Sequence, residues 1–238
     1  MTGKQLLPAA ALTTAFALTS APASALLYTF DTYNPSQNPA GGEIEQVTTT
    51  FDDETNTLEW THRVSPESDS FWLVVTGGPN PKKASGEYVI LYGDESNGTV
   101  TAYEYDGNNG TQSYNTLSNY LGTYNLTVTQ EGGFDVFNFA IDGDDIDAAY
   151  ASSGGTASYW QGLGFGENIG LWFHPAIGLD YQYDASGEIT GIARAAGSTA
   201  GWYDVGNLVT QVPEPGTLGL LLLGVGSLAF ARRRSTKA

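Results

Sequence analysis

The sequence predicts an all-β protein, an antiparallel β-sandwich of jelly-roll or lectin-like type. Apolar and polar residues alternate with a period of two through most of the chain, as they do in strands with one face buried. Turn-forming residues recur every eight to fifteen positions, the spacing of a sandwich rather than of strands alternating with helices. One run, Ser70-Phe71-Trp72-Leu73-Val74-Val75-Thr76, is continuously apolar between its terminal hydroxyl residues, which suits a strand covered on both faces.

In chain order, Glu43–Phe51 places Val47, Thr49 and Phe51 on one face. After the polar turn Asp52-Asp53-Glu54-Thr55-Asn56, Thr57–Val64 aligns Leu58, Trp60, His62 and Val64 against Glu59, Thr61 and Arg63, and the two segments read as a hairpin. His62 lies in an apolar row and reads as a core imidazole rather than a catalyst. Ser70–Thr76 stops at Gly77-Gly78-Pro79-Asn80-Pro81-Lys82-Lys83. Glu87–Tyr92 and Thr99–Tyr105 follow, joined by a polar connection ending in Asn97-Gly98. Asp106–Gly110 reads as a turn and Thr111–Leu121 as a loop. Thr123–Thr129 and Phe134–Ile141 form a second hairpin around Gln130-Glu131-Gly132-Gly133.

The acidic stretch Asp142-Gly143-Asp144-Asp145-Ile146-Asp147 precedes Ala148-Ala149-Tyr150. Acids at that place favour a helix N-terminus, where they cap free N–H groups and meet the positive end of the dipole. The alternative is calcium held by Asp142, Asp144, Asp145 and Asp147, joined by the Asp52-Asp53-Glu54 turn, although the EF-hand spacing is absent. Gly162-Leu163-Gly164-Phe165-Gly166 lacks a surrounding βαβ unit and reads as a loop, not a dinucleotide fingerprint. Ile169–His174 reads as a strand ended by Pro175, Asp184–Gly187 as a turn before Glu188–Ala193, and Gly201–Asp204 as the close of the domain before Val205–Gln211. Asn34–Gly42 and Gly154–Gly170 read as loose.

Of the 238 residues, 9 are Lys or Arg and 26 are Asp or Glu. Five of the basic residues and one acid lie outside 26–211, so that body carries 4 basic against 25 acidic groups, or −21. Nucleic acid is excluded as a partner, because binding phosphates needs clustered cations. Anionic polymers are repelled unless divalent cations intervene. No cysteine is present, which excludes thiol catalysis and thiolate metal sites. With only His62 and His174, a three-histidine zinc centre is excluded too. Glu43 with Glu45, or Glu104 with Asp106, have the spacing for glycosidic acid–base chemistry. So do many pairs among so many acids, and neither a Gly-x-Ser-x-Gly nor a His-Glu-x-x-His motif occurs. The expectation is a protein that is not an enzyme. Trp60, Trp72 and Trp172 fall within strands and read as core, whereas Trp160 and Trp202, beside glycines and loops, are the candidate glycan-binding faces.

Both ends carry processing features. Lys4, the apolar stretch Leu6–Leu18 and Ala23-Ser24-Ala25 read as a signal peptide cut after Ala25, which implies export by the Sec machinery and signal peptidase. At the other end, Val212-Pro213-Glu214-Pro215-Gly216 is followed by uncharged Thr217–Ala231 and then Arg232, Arg233 and Arg234. The fifteen uncharged residues reach roughly 22 Å as a helix, short of a hydrocarbon core of about 30 Å. The arginines act as a basic stop on the cytoplasmic side. A Pro-Glu-Pro motif, short transmembrane helix and arginine cluster in this order resemble the PEP-CTERM sorting signal. That resemblance implies that an exosortase recognises Val212, Pro213, Glu214 and Pro215 and removes the segment C-terminal to them, after transient anchoring in the inner membrane. It also implies an association with exopolysaccharide and biofilm matrix. A second resemblance, through Phe71–Lys82, Tyr88–Asp94, Ile169–His174 and Gly201–Asn207, is to the recurrent body of one group of PEP-CTERM proteins, and implies a shared fold without catalytic residues.

The expected organisation is a signal peptide at 1–25, a β-sandwich at 26–211 and the sorting signal at 212–238. The expected function is that of an exported cell-surface or extracellular-matrix protein that binds carbohydrate. The alternatives are a calcium-stabilised, adhesin-like module and, behind it, a glycoside hydrolase.

Overall fold

The structure, a computed structural model, describes residues 26–78, 81, 88–105, 117–155, 160–208 and 210–213. In chain order the elements are β1 (Leu26–Tyr33), β2 (Ile44–Asp52), β3 (Thr57–Val64), β4 (Ser70–Thr76), β5 (Tyr88–Asp94), β6 (Thr99–Tyr105), β7 (Tyr120–Asn125), β8 (Thr127–Glu131), β9 (Phe134–Asp142), α1 (Gly143–Ser152), β10 (Asn168–Tyr183), β11 (Ile189–Ala200), β12 (Tyr203–Leu208) and β13 (Thr210–Pro213). Two antiparallel sheets form the sandwich. One runs β13-β1-β2-β3-β9-β8; the other runs β11-β10-β4-β5-β6-β7, with β12 also paired to β10.

The alternation read in the sequence builds the core between the sheets. Val47, Leu58, Trp60, Phe137 and Phe139 from one sheet meet Phe71, Leu73, Leu91, Leu171 and Phe173 from the other. His62 sits among them, 1% exposed. Its ring stacks on Phe137 at 4.7 Å, and its Nδ1 accepts a hydrogen bond from Trp60 Nε1 at 2.8 Å. Every residue of β4 and β5 is buried, because the outer face of their sheet carries a second apolar cluster that includes Trp72, Ile90, Tyr92, Tyr103 and Trp172. On the core side, Gly93 makes room for Phe71: a Cβ there would lie 1.9 Å from its ring.

Four readings are corrected. Thr123–Thr129 is not one strand: β7 pairs with β6 in one sheet and β8 with β9 in the other, and buried Leu126 forms the corner, its N–H donating to Gly98 O at 2.9 Å. Period-two alternation cannot register such a change of sheet. Pro175 does not end its strand, since β10 continues to Tyr183. It falls where the neighbour on one side changes from β12, paired through Phe173, to β11, paired from Ala176. A residue lacking an N–H is tolerated at such an interruption of the ladder. The Asn34–Gly42 stretch is pinned rather than loose, with Ile44 N–H donating to Ser36 Oγ at 2.7 Å and Trp202 N–H to Asn38 O at 3.1 Å. Finally, the two ends of the sandwich body contribute two strands, β1 and β13, that the alternation does not announce. They pair with each other, Leu26 opposite Pro213 and Leu27 opposite Val212, so the sheet runs past the expected boundary at Gln211 into the first two residues of the sorting motif. Pro213 closes an edge strand, where proline is acceptable.

Candidate functional site

The outer face of the seven-stranded sheet gathers three tryptophans around one histidine. Trp172 and His174 are two apart on β10 and so share a face. The register sets His174 opposite Trp72 of β4, and Trp172 opposite Asp204 of β12. One step further along the same line lies Trp202, joined by an isolated bridge to Asn38. The His174 ring stacks on Trp72 at 4.6 Å and 11°, meets the edge of Trp172 at 5.2 Å, and faces Trp202 at 6.5 Å. Tyr105 packs on Trp172 at 5.3 Å.

Exposure divides the cluster into floor and rim. Trp72 and Trp172 are each 3% exposed, whereas Trp202 is 38% exposed and, among the described residues, Tyr33 is the other large apolar residue open to solvent. At the rim, His174 Nε2 lies 3.9 Å from Asp204 Oδ1. The buried Trp172 Nε1 donates to no group among the described residues. The rim is held rigidly: Gln37 Nε2 donates to Asp204 O at 2.8 Å, and Gln37 and Asn38 N–H donate to Trp202 O at 3.1 and 3.3 Å. A Cβ on Gly41 would fall 1.9 Å from Pro175 O, so only glycine lets this loop close on β10. The exposed Trp202 indole can stack on the apolar face of a sugar ring, whereas His174 Nε2 and Asp204 Oδ1 are themselves shielded from solvent.

Of the two tryptophans singled out in the sequence, Trp202 thus belongs to this cluster, at its exposed rim. Trp160 has another setting: one face lies on Tyr150 of α1 at 3.8 Å and 7°, and its Nε1 donates to Asp147 Oδ1 at 2.7 Å. The sequence reading placed Trp72 and Trp172 in the core, where both are buried, and singled out neither His174 nor Asp204. Two paired signals were present, Trp172-x-His174 and Trp202-x-Asp204, each spaced to share a strand face, but their juxtaposition depends on the β10–β12 register.

The acidic residues hold protein groups. Asp142 is the N-cap of α1, accepting from Asp144 N–H at 2.9 Å. Asp144 accepts from Asn56 Nδ2 at 2.9 Å, Asp145 lies in the first turn, and Asp147 is engaged by Trp160. Asp52 Oδ1 accepts from the N–H groups of Glu54 and Thr55. No group of three or more His, Asp or Glu residues placed to hold a metal ion occurs among the described residues. Glu45 is paired with Arg63, and Glu104 with Asn119 Nδ2. Asp106 lies outside the described residues, as do the signal peptide at 1–25 and Glu214, Pro215, Arg232, Arg233 and Arg234 of the tail.

Across the molecule, on the six-stranded sheet and the β7–β8 corner, lies a recess of about 650 Å³ whose lining includes Glu59, Thr61, Thr123, Asn125, Thr127 and Asn138. No helix among the described residues is long and apolar enough to cross a membrane. In comparisons with known proteins, residues 211–235 match the PEP-CTERM protein-sorting motif. The chain is therefore an exported, surface-directed protein carrying an exosortase sorting signal. No curated protein and no solved structure matched the chain.

Proposed function

We propose that this exported, exosortase-sorted protein is a carbohydrate-binding β-sandwich of the extracellular matrix, one that holds a polysaccharide without cleaving it. The observation that carries the reading is the exposed Trp202 set in register with His174 and Asp204 over the buried Trp72 and Trp172. The chemistry suits a neutral glycan. Indole faces attract the C–H surface of a sugar ring, and a body charge of −21, from 4 basic and 25 acidic groups, disfavours an acidic polymer.

The test is titration of the mature protein with neutral and acidic exopolysaccharide fragments, read by tryptophan fluorescence and calorimetry. Neutral fragments bind and are recovered intact. W202A weakens binding about tenfold, equivalent to about 1.4 kcal/mol, while leaving the melting temperature within about a degree, as expected of a change at a partly exposed site. Unchanged affinity in W202A would remove the site from consideration, and new reducing ends would reassign the protein to the hydrolases.

A further inference from the structure

We propose that Asp53 is the binding site for the α-ammonium group that signal-peptide removal creates at Leu26, and that this contact latches the sheet edge on which the sorting motif begins. The inference rests on cleavage after Ala25. Leu26 N lies 2.7 Å from Asp53 Oδ1, and in return Asp53 N–H donates to Leu26 O at 3.3 Å. The turn that presents Asp53 is itself fixed, because Asp52 Oδ1 accepts from Glu54 and Thr55 N–H at 2.9 and 3.2 Å. Asn56 accepts from Gly143 N–H at 2.6 Å.

Before cleavage the nitrogen of Leu26 is a neutral amide with one hydrogen. Hydrolysis of the Ala25–Leu26 bond leaves a carboxylate on Ala25 and an amine on Leu26 that takes up a proton, so the same contact becomes a charge-assisted hydrogen bond. The body supplies little competing cation. Its four basic residues are Arg63, Lys82, Lys83 and Arg194, and Arg63 is committed to Glu45 and Glu131. The consequence reaches the other terminus through one strand: β1, which starts at Leu26, is the partner of β13, with Leu27 opposite Val212. Fixing the new N-terminus therefore fixes the strand that leads into Val212–Pro215.

A double-mutant cycle on the exported, trimmed protein tests this. Intact mass first establishes the N-terminus; a mature chain starting anywhere but Leu26 overturns the proposal and with it the cleavage reading. Asp53→Asn is then compared in the Leu26 protein and in one carrying Gly-Ser before Leu26. In the Leu26 protein the substitution is expected to lower Tm by about 1–3 °C, the scale of an exposed ion pair in a domain this size. Hydrogen exchange at Gln211 and Val212 speeds up, and acylation of the α-amine at neutral pH becomes about 3–10 times faster as the amine loses its anionic neighbour. In the extended protein those changes shrink by at least half. Equal effects in both backgrounds would mean that Asp53 merely orders its own turn, and would overturn the latch while leaving the cleavage site established.

Discussion

His62 illustrates how a single position couples the core to pH. Burial with no charged neighbour lowers its pKa from 6.5 to about 3, so the folded protein keeps the ring neutral. The unfolded chain takes up a proton near pH 6.5 and the folded chain does not until about pH 3; this contribution to stability is therefore complete above the unfolded value and falls as pH drops between the two. The loss is about 1.4 kcal/mol per pH unit. Urea midpoints at pH 7 and pH 5 should show about 2 kcal/mol from this source, and H62M should remove that part of the slope while costing about 1–3 kcal/mol at pH 7, because Trp60 Nε1 loses its acceptor. Trp160 provides the opposite test of a tryptophan near a loop. Given its stacking on Tyr150 and its bond to Asp147, W160A should destabilise the fold by about 2–4 kcal/mol and leave glycan affinity unchanged, measured by thermal melts and titration. Both settings sit beside glycines in the sequence. What separates exposed Trp202 from stacked Trp160 is the partner each meets, a strand across the sheet in one case and a helix in the other, and neither is local information.

Individual elements were readable where local chemistry decides them. β3, β4 and β6 occupy the segments that alternation and the apolar run indicated, and the acidic stretch does cap α1 through Asp142. D142A should therefore cost about 1 kcal/mol, seen as a lower Tm, with the helix amides of Asp144 and Asp145 exchanging fastest. Strand interruptions were not readable, because Leu126 and Pro175 owe their roles to which sheet, or which partner strand, lies alongside. The outer cluster shows the same limit: the run Ser70–Thr76 announced a strand buried on both faces, but not that Trp72 would meet His174 and Trp172 there. Where β4 pairs with β5, no side chain fits opposite Phe71, and G93A should destabilise the sandwich by about 1–3 kcal/mol through overpacking, measurable as a reduced denaturant midpoint with an unchanged slope.

At the level of the whole molecule, a body with 4 basic and 25 acidic groups repels itself, and screening should relieve that repulsion: Tm is expected to rise by about 3–6 °C between 20 mM and 0.5 M NaCl as the Debye length shrinks. The sandwich and the sorting tail were legible from periodicity and motif, whereas the pairing of β1 with β13 was not, because the two strands lie nearly two hundred residues apart in sequence. That pairing gives the molecule a handle and a far end. Pro213 sits beside Leu26 at the start of β1, while Asn38, which holds Trp202, comes shortly after Tyr33 at the other end; eight residues of strand span roughly 25 Å. A sandwich held at Pro213 would carry Trp202 about a strand's length from that point, a distance set by the stiffness of the sheet.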